Sequence, residues 1–456
     1  MASDSFDGGG ALTRSNFLAD ILSSIFERRI DLVSGRDGRS IEALCAALLS
    51  ERGEASGTRI AAAVLDHYLE LDEAGKTRFF ELLCKSYDID TAKVIEVAQA
   101  YAETGEAGAL ARLMSEAEPK RQELLRRLNR APGATGALVR MRADLLDLIA
   151  DNPALRLADL DFDHLFASWF NRGFLVLRRI DWSTPANILE KIIEYEAVHA
   201  IDDWDDLRRR LAPPDRRCFA FFHPAMPDEP LIFVEVALTA DIPASIQDVL
   251  VETRDHVNEA QATTAVFYSI SNCQKGLAGV SFGNFLIKQV ATDLSQSLPN
   301  LKTFVTLSPV PGFNRWLRAQ QETADGAPHP DASDIEAILN AGDVVEITER
   351  RALLTRLAAE YLCTAKRQDG RPIDPVARFH LGNGARLERI NAGADLSPNG
   401  IAASSGVMVN YVYDLKTVEA NHEAYAQTLE VNAARSIRAL LRDRPARGNQ
   451  RSVENA

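Results

Sequence analysis

The chain has 456 residues, 46% hydrophobic and 25% charged, with a net charge of −14. That length suits two or three domains with proper cores. The acidic balance argues against a nucleic-acid partner, and no run of about 18 apolar residues is present to span a membrane.

The N-terminal "MASDSFDGGG" has neither the basic n-region nor the apolar core of a secretory signal. Residues 1–13 therefore read as a disordered tail. Residues 14–171 read almost entirely as helices. "NFLADILSSIFERR", "IEALCAALLSER", "KTRFFELLCKSY" and "ALVRMRADLLDLIADNP" repeat apolar residues at i, i+3, i+4 and i+7. No chemistry is visible there. The many amphipathic faces point to packing and to a homo-oligomer, dimer or tetramer, assembled through this half.

The pattern changes near Phe174. "FLVLRRI", "CFAFFH", "LIFVEVAL", "TAVFYSI", "LKTFVTL" and "MVNYVYD" are β-branched or aromatic runs that read as strands. "PANILEKIIEYEAVHA" and "NFLIKQVATDLSQSL" between them read as helices. The fold class is α+β: an all-helical domain over 14–171, then a strand-and-helix domain over 172–441. Residues 442–456 read as a second tail, which does not end in S-K-L. The five cysteines are scattered and form no C-x-x-C, and the eight histidines form no H-E-x-x-H. A reducing compartment fits; a disulfide framework or a metal site does not.

Three stretches of the second domain carry candidate chemistry. In "KGLAGVSFGNFLIK", Gly279-Val280-Ser281-Phe282-Gly283 matches the G-x-S-x-G of hydrolase nucleophiles. A hydrolase elbow places its serine directly after a strand. Here the strand ends near Ser271 and seven residues, 272–278, follow before Gly279. The alternative is a glycine loop opening a helix over 284–297, whose free N–H groups and dipole favour an anion such as a pyrophosphate. Lys275 and Lys288 would add positive charge. A plain strand-to-helix turn is the third reading.

"LKTFVTLSPVPGFNRWL" ends a strand at Leu307 and then presents Ser308, stiffened by Pro309 and Pro311. Strand ends line ligand sites in open α/β sheets; a serine that merely caps the next helix would look the same. "DPVARFHLGNGARLERI" reads as a short helix 375–381, N-capped by Asp374, followed by a strand from Arg386. A hairpin turning at Asn383-Gly384 is the rival. Either puts His380 near the end of its element, in a structural or a catalytic role.

Together these stretches resemble the malonyl-CoA decarboxylase family. "FFHPAMPDEPLIFVEVALT", "AVFYSIS", "KGLAGVSFGNFLIK", "LSPVPGF", "FHLGNGA" and "SSGVMVNYVYDL" occur in the family's order over most of residues 216–415. The resemblance implies a GNAT acyltransferase-like catalytic domain that binds coenzyme A. It implies CoA contacts from Ala278, Gly279, Val280, Ser281, Phe282, Gly283 and Asn284, with Lys288 nearby. It implies that Ser308 and His380 are catalytic, and it ranks Asn383 and Tyr413 second. The position held by Ser281 is acidic in animal members, so Ser281 reads as a helix-start residue. Missing the peroxisomal tripeptide, the chain resembles a bacterial-type cytoplasmic member.

The implied reaction turns malonyl-CoA into acetyl-CoA and CO2. Loss of CO2 leaves an electron pair on C2, which the thioester carbonyl takes up as an enolate. No metal or organic cofactor is then needed, coenzyme A being part of the substrate. A proton must reach C2. His380 is the expected donor, because an ordinary imidazole titrates near neutrality. An acyl-CoA-dependent acetyltransferase, a serine thioesterase and a CoA-binding regulator remain as alternatives.

Overall fold

The computed structural model describes residues 38–50, 53–280, 286–321, 331–340 and 344–442. The expected helix 16–29 and the tails 1–13 and 442–456, save Arg442, lie outside them. The chain divides into two compact units. One holds the helical residues up to Leu138 together with Asp147–Asp161. The other holds Val139–Leu146 and everything from Phe162 onward. Among the described residues no helix is long and apolar enough to cross a membrane.

In the first unit local chemistry sets the helix ends. Asp72 and Asp90 accept from Gly75 N at 2.7 Å and Lys93 N at 3.1 Å, and so start Glu73–Ser86 and Thr91–Thr104. Gly105, at φ +64°, ends the second of these. Tyr68, Phe79 and Phe80 meet edge to face inside, with centroids 5.2 to 5.9 Å apart. The next helix, Ala107–Glu116, buries none of its residues and leaves Met114 68% exposed.

The second unit is built on one eight-stranded sheet. Its strands are β1 (Val176–Ile180), β2 (Arg216–His223), β3 (Met226–Thr239), β4 (Thr264–Asn272), β5 (Thr303–Thr306), β6 (Ser308–Pro309), β7 (Arg386–Asn391) and β8 (Met408–Val412). The order is β1-β2-β3-β4-β5-β8-β6, with β7 also on β8. Neighbours are antiparallel except β4 and β5, which run parallel from Thr264↔Thr303 to Phe267↔Thr306. The six expected strands are all present.

What positions the site is the parting of β4 from β5. Leu307 N still donates to Phe267 O at 2.9 Å. Beyond that, β4 continues to Asn272 paired with β3 alone. A bulge helps: Glu235 faces Ser269 and Val236 faces Phe267, so Tyr268 is an extra residue that bends β4. A wedge opens at the carboxyl ends of the two strands, where loops carry ligand chemistry in open sheets.

Two local readings needed correction. The helix expected over "PANILEKIIEYEAVHA" stops at Tyr195. Glu196 turns away to accept the N–H groups of Val198 and His199, each at 2.8 Å, and the hydroxyls of Ser269 and Ser271 on β4. The rival hairpin at Asn383-Gly384 does not form. The helix runs Pro375–Gly382 with Asp374 as its N-cap. Gly384 follows at φ +81°, with Val418 O only 1.9 Å from where a Cβ would stand.

Candidate active site

Ser308 and His380, 72 positions apart in sequence, meet in the fold. Ser308 opens the short strand β6, paired to Val409 of β8 just past the parting of β4 and β5. It is therefore a strand residue and not a helix cap. His380 comes from the last turn of the helix Pro375–Gly382. Ser308 Oγ lies 3.0 Å from His380 Nε2, and both residues are buried. On the far side of the ring, Nδ1 lies 2.8 Å from Tyr413 Oη, also buried. Tyr411 stacks on the imidazole at 4.6 Å between centroids.

The donors and acceptors fix the direction of this chain. Ser308 Oγ donates to Thr306 Oγ1 at 2.8 Å, and Thr306 Oγ1 also accepts from Tyr411 N at 3.2 Å. With its one proton committed there, Ser308 Oγ is the acceptor for Nε2. A neutral imidazole has one N–H and one lone pair. Nε2 therefore carries the proton, and Nδ1 accepts from the Tyr413 hydroxyl. Burial pushes the His380 pKa down to about 3 and that of Tyr413 up, so both rings are neutral at pH 7. The expectation that His380 titrates near neutrality is thus corrected: its apolar, enclosed setting disfavours the imidazolium.

A brace ties the two loops together. Gly312 closes the Ser308 loop, and a Cβ there would stand 2.3 Å from Tyr361 Oη. Tyr361 Oη donates to Asp374 Oδ2 at 3.2 Å. Asp374 Oδ1 in turn accepts from Ala377 N at 2.8 Å, at the start of the helix that carries His380. Asn383 is placed otherwise. It ends that helix, its side-chain amide donating to Phe379 O at 2.6 Å rather than to the ring of His380.

Of the expected CoA loop, Ala278, Gly279 and Val280 are described; Ser281, Phe282, Gly283 and Asn284 lie outside the described residues. β4 ends at Asn272, eight residues (273–280) before Ser281, whereas an elbow serine follows its strand directly. A 3₁₀ turn, Lys275–Leu277, fills part of that gap. Lys288, in the first turn of the helix Leu286–Ser297, lies 3.3 Å from Glu419 Oε1, so a carboxylate already faces its charge.

Sequence reading missed Thr306, Tyr361 and Tyr411. The signal was there for two of them: Thr306 with Ser308, and Tyr411 with Tyr413, are i, i+2 pairs, the spacing that strands place on one face. It also missed a second buried polar cluster on β3 and β4. Glu235, fully buried within "LIFVEVAL", lies 3.3 Å from Arg210 Nη1. Its Oε1 has no partner among the described residues, nor do Tyr268 Oη and His199 Nε2.

Burial, and after it the neighbouring Glu196, push the Glu235 carboxyl from 4.5 up to about 8. A raised folded pKa means the folded state holds a proton that the unfolded chain releases. The associated stability is full below about pH 4.5 and is lost as pH rises through about 8. Glu235→Gln is expected to flatten that decline. Thermal midpoints of both proteins between pH 6 and 9 check this; parallel profiles would clear Glu235 of the titration.

The fold and site define a class: an α+β protein with a helical N-terminal unit and a mixed-sheet unit holding a buried hydroxyl–imidazole–phenol chain. Residues 87–170 match the malonyl-CoA decarboxylase N-terminal domain, and residues 173–451 match the C-terminal domain. The mitochondrial malonyl-CoA decarboxylase of Anser anser anser is 36% identical, over 90% of either chain. That of Rattus norvegicus is 34% identical over 81% of this chain and 82% of its own. The crystal structure of malonyl-CoA decarboxylase from Rhodopseudomonas palustris superposes with a TM-score of 0.84 at 54% identity, covering 88% of this chain and 98% of that one. The Agrobacterium vitis enzyme gives 0.83 at 53%, covering 88% and 99%. The chain belongs to the malonyl-CoA decarboxylase family.

Proposed function

We propose that the chain converts malonyl-CoA to acetyl-CoA and CO2 through a thioester enolate, with no metal or organic cofactor. What carries this reading is the direction of the chain from Tyr413 through His380 to Ser308, inferred from the Ser308 hydroxyl donating to Thr306 Oγ1. A serine nucleophile needs the imidazole lone pair facing its hydroxyl. Here the lone pair faces Tyr413, and Ser308 faces an N–H. The arrangement delivers a proton outward instead of taking one from serine.

The bond between C2 and the carboxyl carbon breaks and its electron pair passes into the thioester carbonyl. CO2 leaves and an enolate remains. A thioester α-carbon is a far weaker acid than imidazole or hydroxyl, so a neutral donor can protonate the enolate. The Ser308 hydroxyl turns from Thr306 Oγ1 to give its proton to C2 and takes one from His380 Nε2–H, while Tyr413 gives one to Nδ1. One proton from water restores the Tyr413 phenol per turnover, and the imidazole hydrogen, left on Nδ1 by the relay, must return to Nε2 before the next one. A malonyl carboxylate beside the ring would also raise the His380 pKa, because an opposite charge favours the imidazolium. The loop at Ala278, Gly279 and Val280 would hold the phosphates of the substrate.

Purified protein incubated with malonyl-CoA should release acetyl-CoA and CO2. Free CoA plus malonate would instead indicate a thioesterase. Acetyl transfer to an added amine would indicate an acetyltransferase, and tight binding without turnover a regulator.

The same reading makes the protein a cytoplasmic homo-oligomer. The assembly is supported by the helix Ala107–Glu116, which buries nothing and exposes Leu110 and Met114. Light scattering at micromolar concentration should give a multiple of the single-chain mass, reduced by Leu110→Glu with Met114→Glu. A monomeric unmodified protein would refute the assembly.

A further inference from the structure

The loop after β4 is held by a residue far from it in sequence. Arg142, in the helix Ala134–Leu148, is 3% exposed. Its Nη1 donates to Gly276 O at 3.1 Å and to Ala278 O at 3.0 Å. Its Nη2 lies 3.5 Å from Asp163 Oδ1, and its guanidinium stands 5.9 Å from the centroid of the Phe166 ring. One turn earlier in the helix, Val139 O lies 1.8 Å from where a Gly276 Cβ would be. No larger residue fits there, so the loop backbone lies directly on the helix backbone. Gly276 thus serves this contact and not the approach of an anion. Val139–Leu146 and the loop belong to one compact unit.

This anchoring has a consequence for the amides. Among the described residues no peptide bond is cis, and across a trans peptide the C=O of one residue and the N–H of the next point opposite ways. Arg142 draws the Ala278 carbonyl toward itself, so the Gly279 N–H faces away from it. The neighbouring amides are occupied: Leu277 N donates to Gln274 O at 2.9 Å, Ala278 N to Lys275 O at 3.0 Å, and Val280 N to Leu277 O at 3.1 Å. Gly279 N has no acceptor among the described residues. Gly279 is also at φ +84°, a backbone state that side chains disfavour. Asp163 Oδ1 lies 3.9 Å from the position of a Gly279 Cβ, and Arg142 offsets that negative charge.

We propose that Arg142 is a positioning residue for coenzyme A. It does not touch the ligand. By holding the Ala278 carbonyl it presents the Gly279 N–H to a phosphate oxygen of the substrate. The inference rests on the reading of this loop as the phosphate-binding loop.

The test compares malonyl-CoA with malonyl-pantetheine, the same thioester without the nucleotide and its phosphates, in Arg142→Met. The preference for malonyl-CoA, measured as the ratio of the two kcat/KM values, should fall about 10–100-fold, the range for one hydrogen bond to a charged group. The loss should sit in KM. Arg142→Lys, which keeps the charge but not the two-pronged grip, should give an intermediate ratio, and serves should Arg142→Met not fold. An unchanged ratio overturns the proposal, whether both substrates suffer equally or neither does. Gly279→Val separates this from the parent reading. If that variant keeps the wild-type KM for malonyl-CoA, the loop does not bind phosphate at all. If its KM rises while the Arg142 ratio stays fixed, the loop binds phosphate and Arg142 does not orient it.

Discussion

His380→Asn should lower kcat for malonyl-CoA by about 10²–10⁴-fold, the usual contribution of a positioned acid–base group, with CoA affinity nearly intact. Asparagine fits the space and keeps polarity but cannot pass a proton from Tyr413 to Ser308. Ser308→Ala should lose a comparable factor, because Nε2–H would then have no carrier. The two losses should not multiply, since the groups lie 3.0 Å apart and act as one route. Near-wild-type turnover in His380→Asn would remove His380 from the proton path and leave Tyr413 as the next candidate. If both variants lose activity only in proportion to CoA affinity, the pair binds substrate and the acid lies elsewhere.

Gly312→Ala should damage both stability and turnover, although the residue touches no substrate. The new methyl group would stand 2.3 Å from Tyr361 Oη, and something must move. Overpacking of this kind typically costs about 1–3 kcal/mol. If Tyr361 is driven off Asp374, the start of the His380 helix loses its outer support, and a misplacement of that kind costs about 10-fold or more in kcat. Tyr361→Phe removes the oxygen that clashes. The double variant should therefore resemble Tyr361→Phe alone in urea unfolding and in turnover. Strict additivity of the two single changes would show that Gly312 and Tyr361 are not coupled, and the brace would be discarded.

Much of this was legible in the residues, for physical reasons that differ by element. The strands were clear because "LIFVEVAL" and "TAVFYSI" are β-branched and aromatic over the length of a strand. The His380 helix was clear because Asp374-Pro375 starts it and Gly382 ends it. The end of the helix at Tyr195 was not, since Glu196 is stopped by serines on β4, more than 70 positions away. The two main site residues could be named from motif blocks, but their protonation could not. That depended on burial and on Thr306, Tyr411 and Tyr413, which only the pairing of β5, β6 and β8 brings around the ring. The loop glycines were read as one set, yet Gly276 meets a helix and Gly279 turns an amide outward.

The clamped imidazole also has a stereochemical consequence. His380 is hydrogen-bonded at both nitrogens and stacked on Tyr411, so it cannot swing to the other side of a planar enolate. Protonation through Ser308 would then strike one face only. Malonyl-CoA carrying one tritium at a defined C2 position, turned over in heavy water, would yield acetyl-CoA whose methyl group bears hydrogen, deuterium and tritium in a single handedness. A racemic methyl group would mean that the enolate escapes or tumbles before it is quenched. The enclosure that keeps this ring both neutral and fixed would thus also be recorded as chirality in a product that ordinarily shows none.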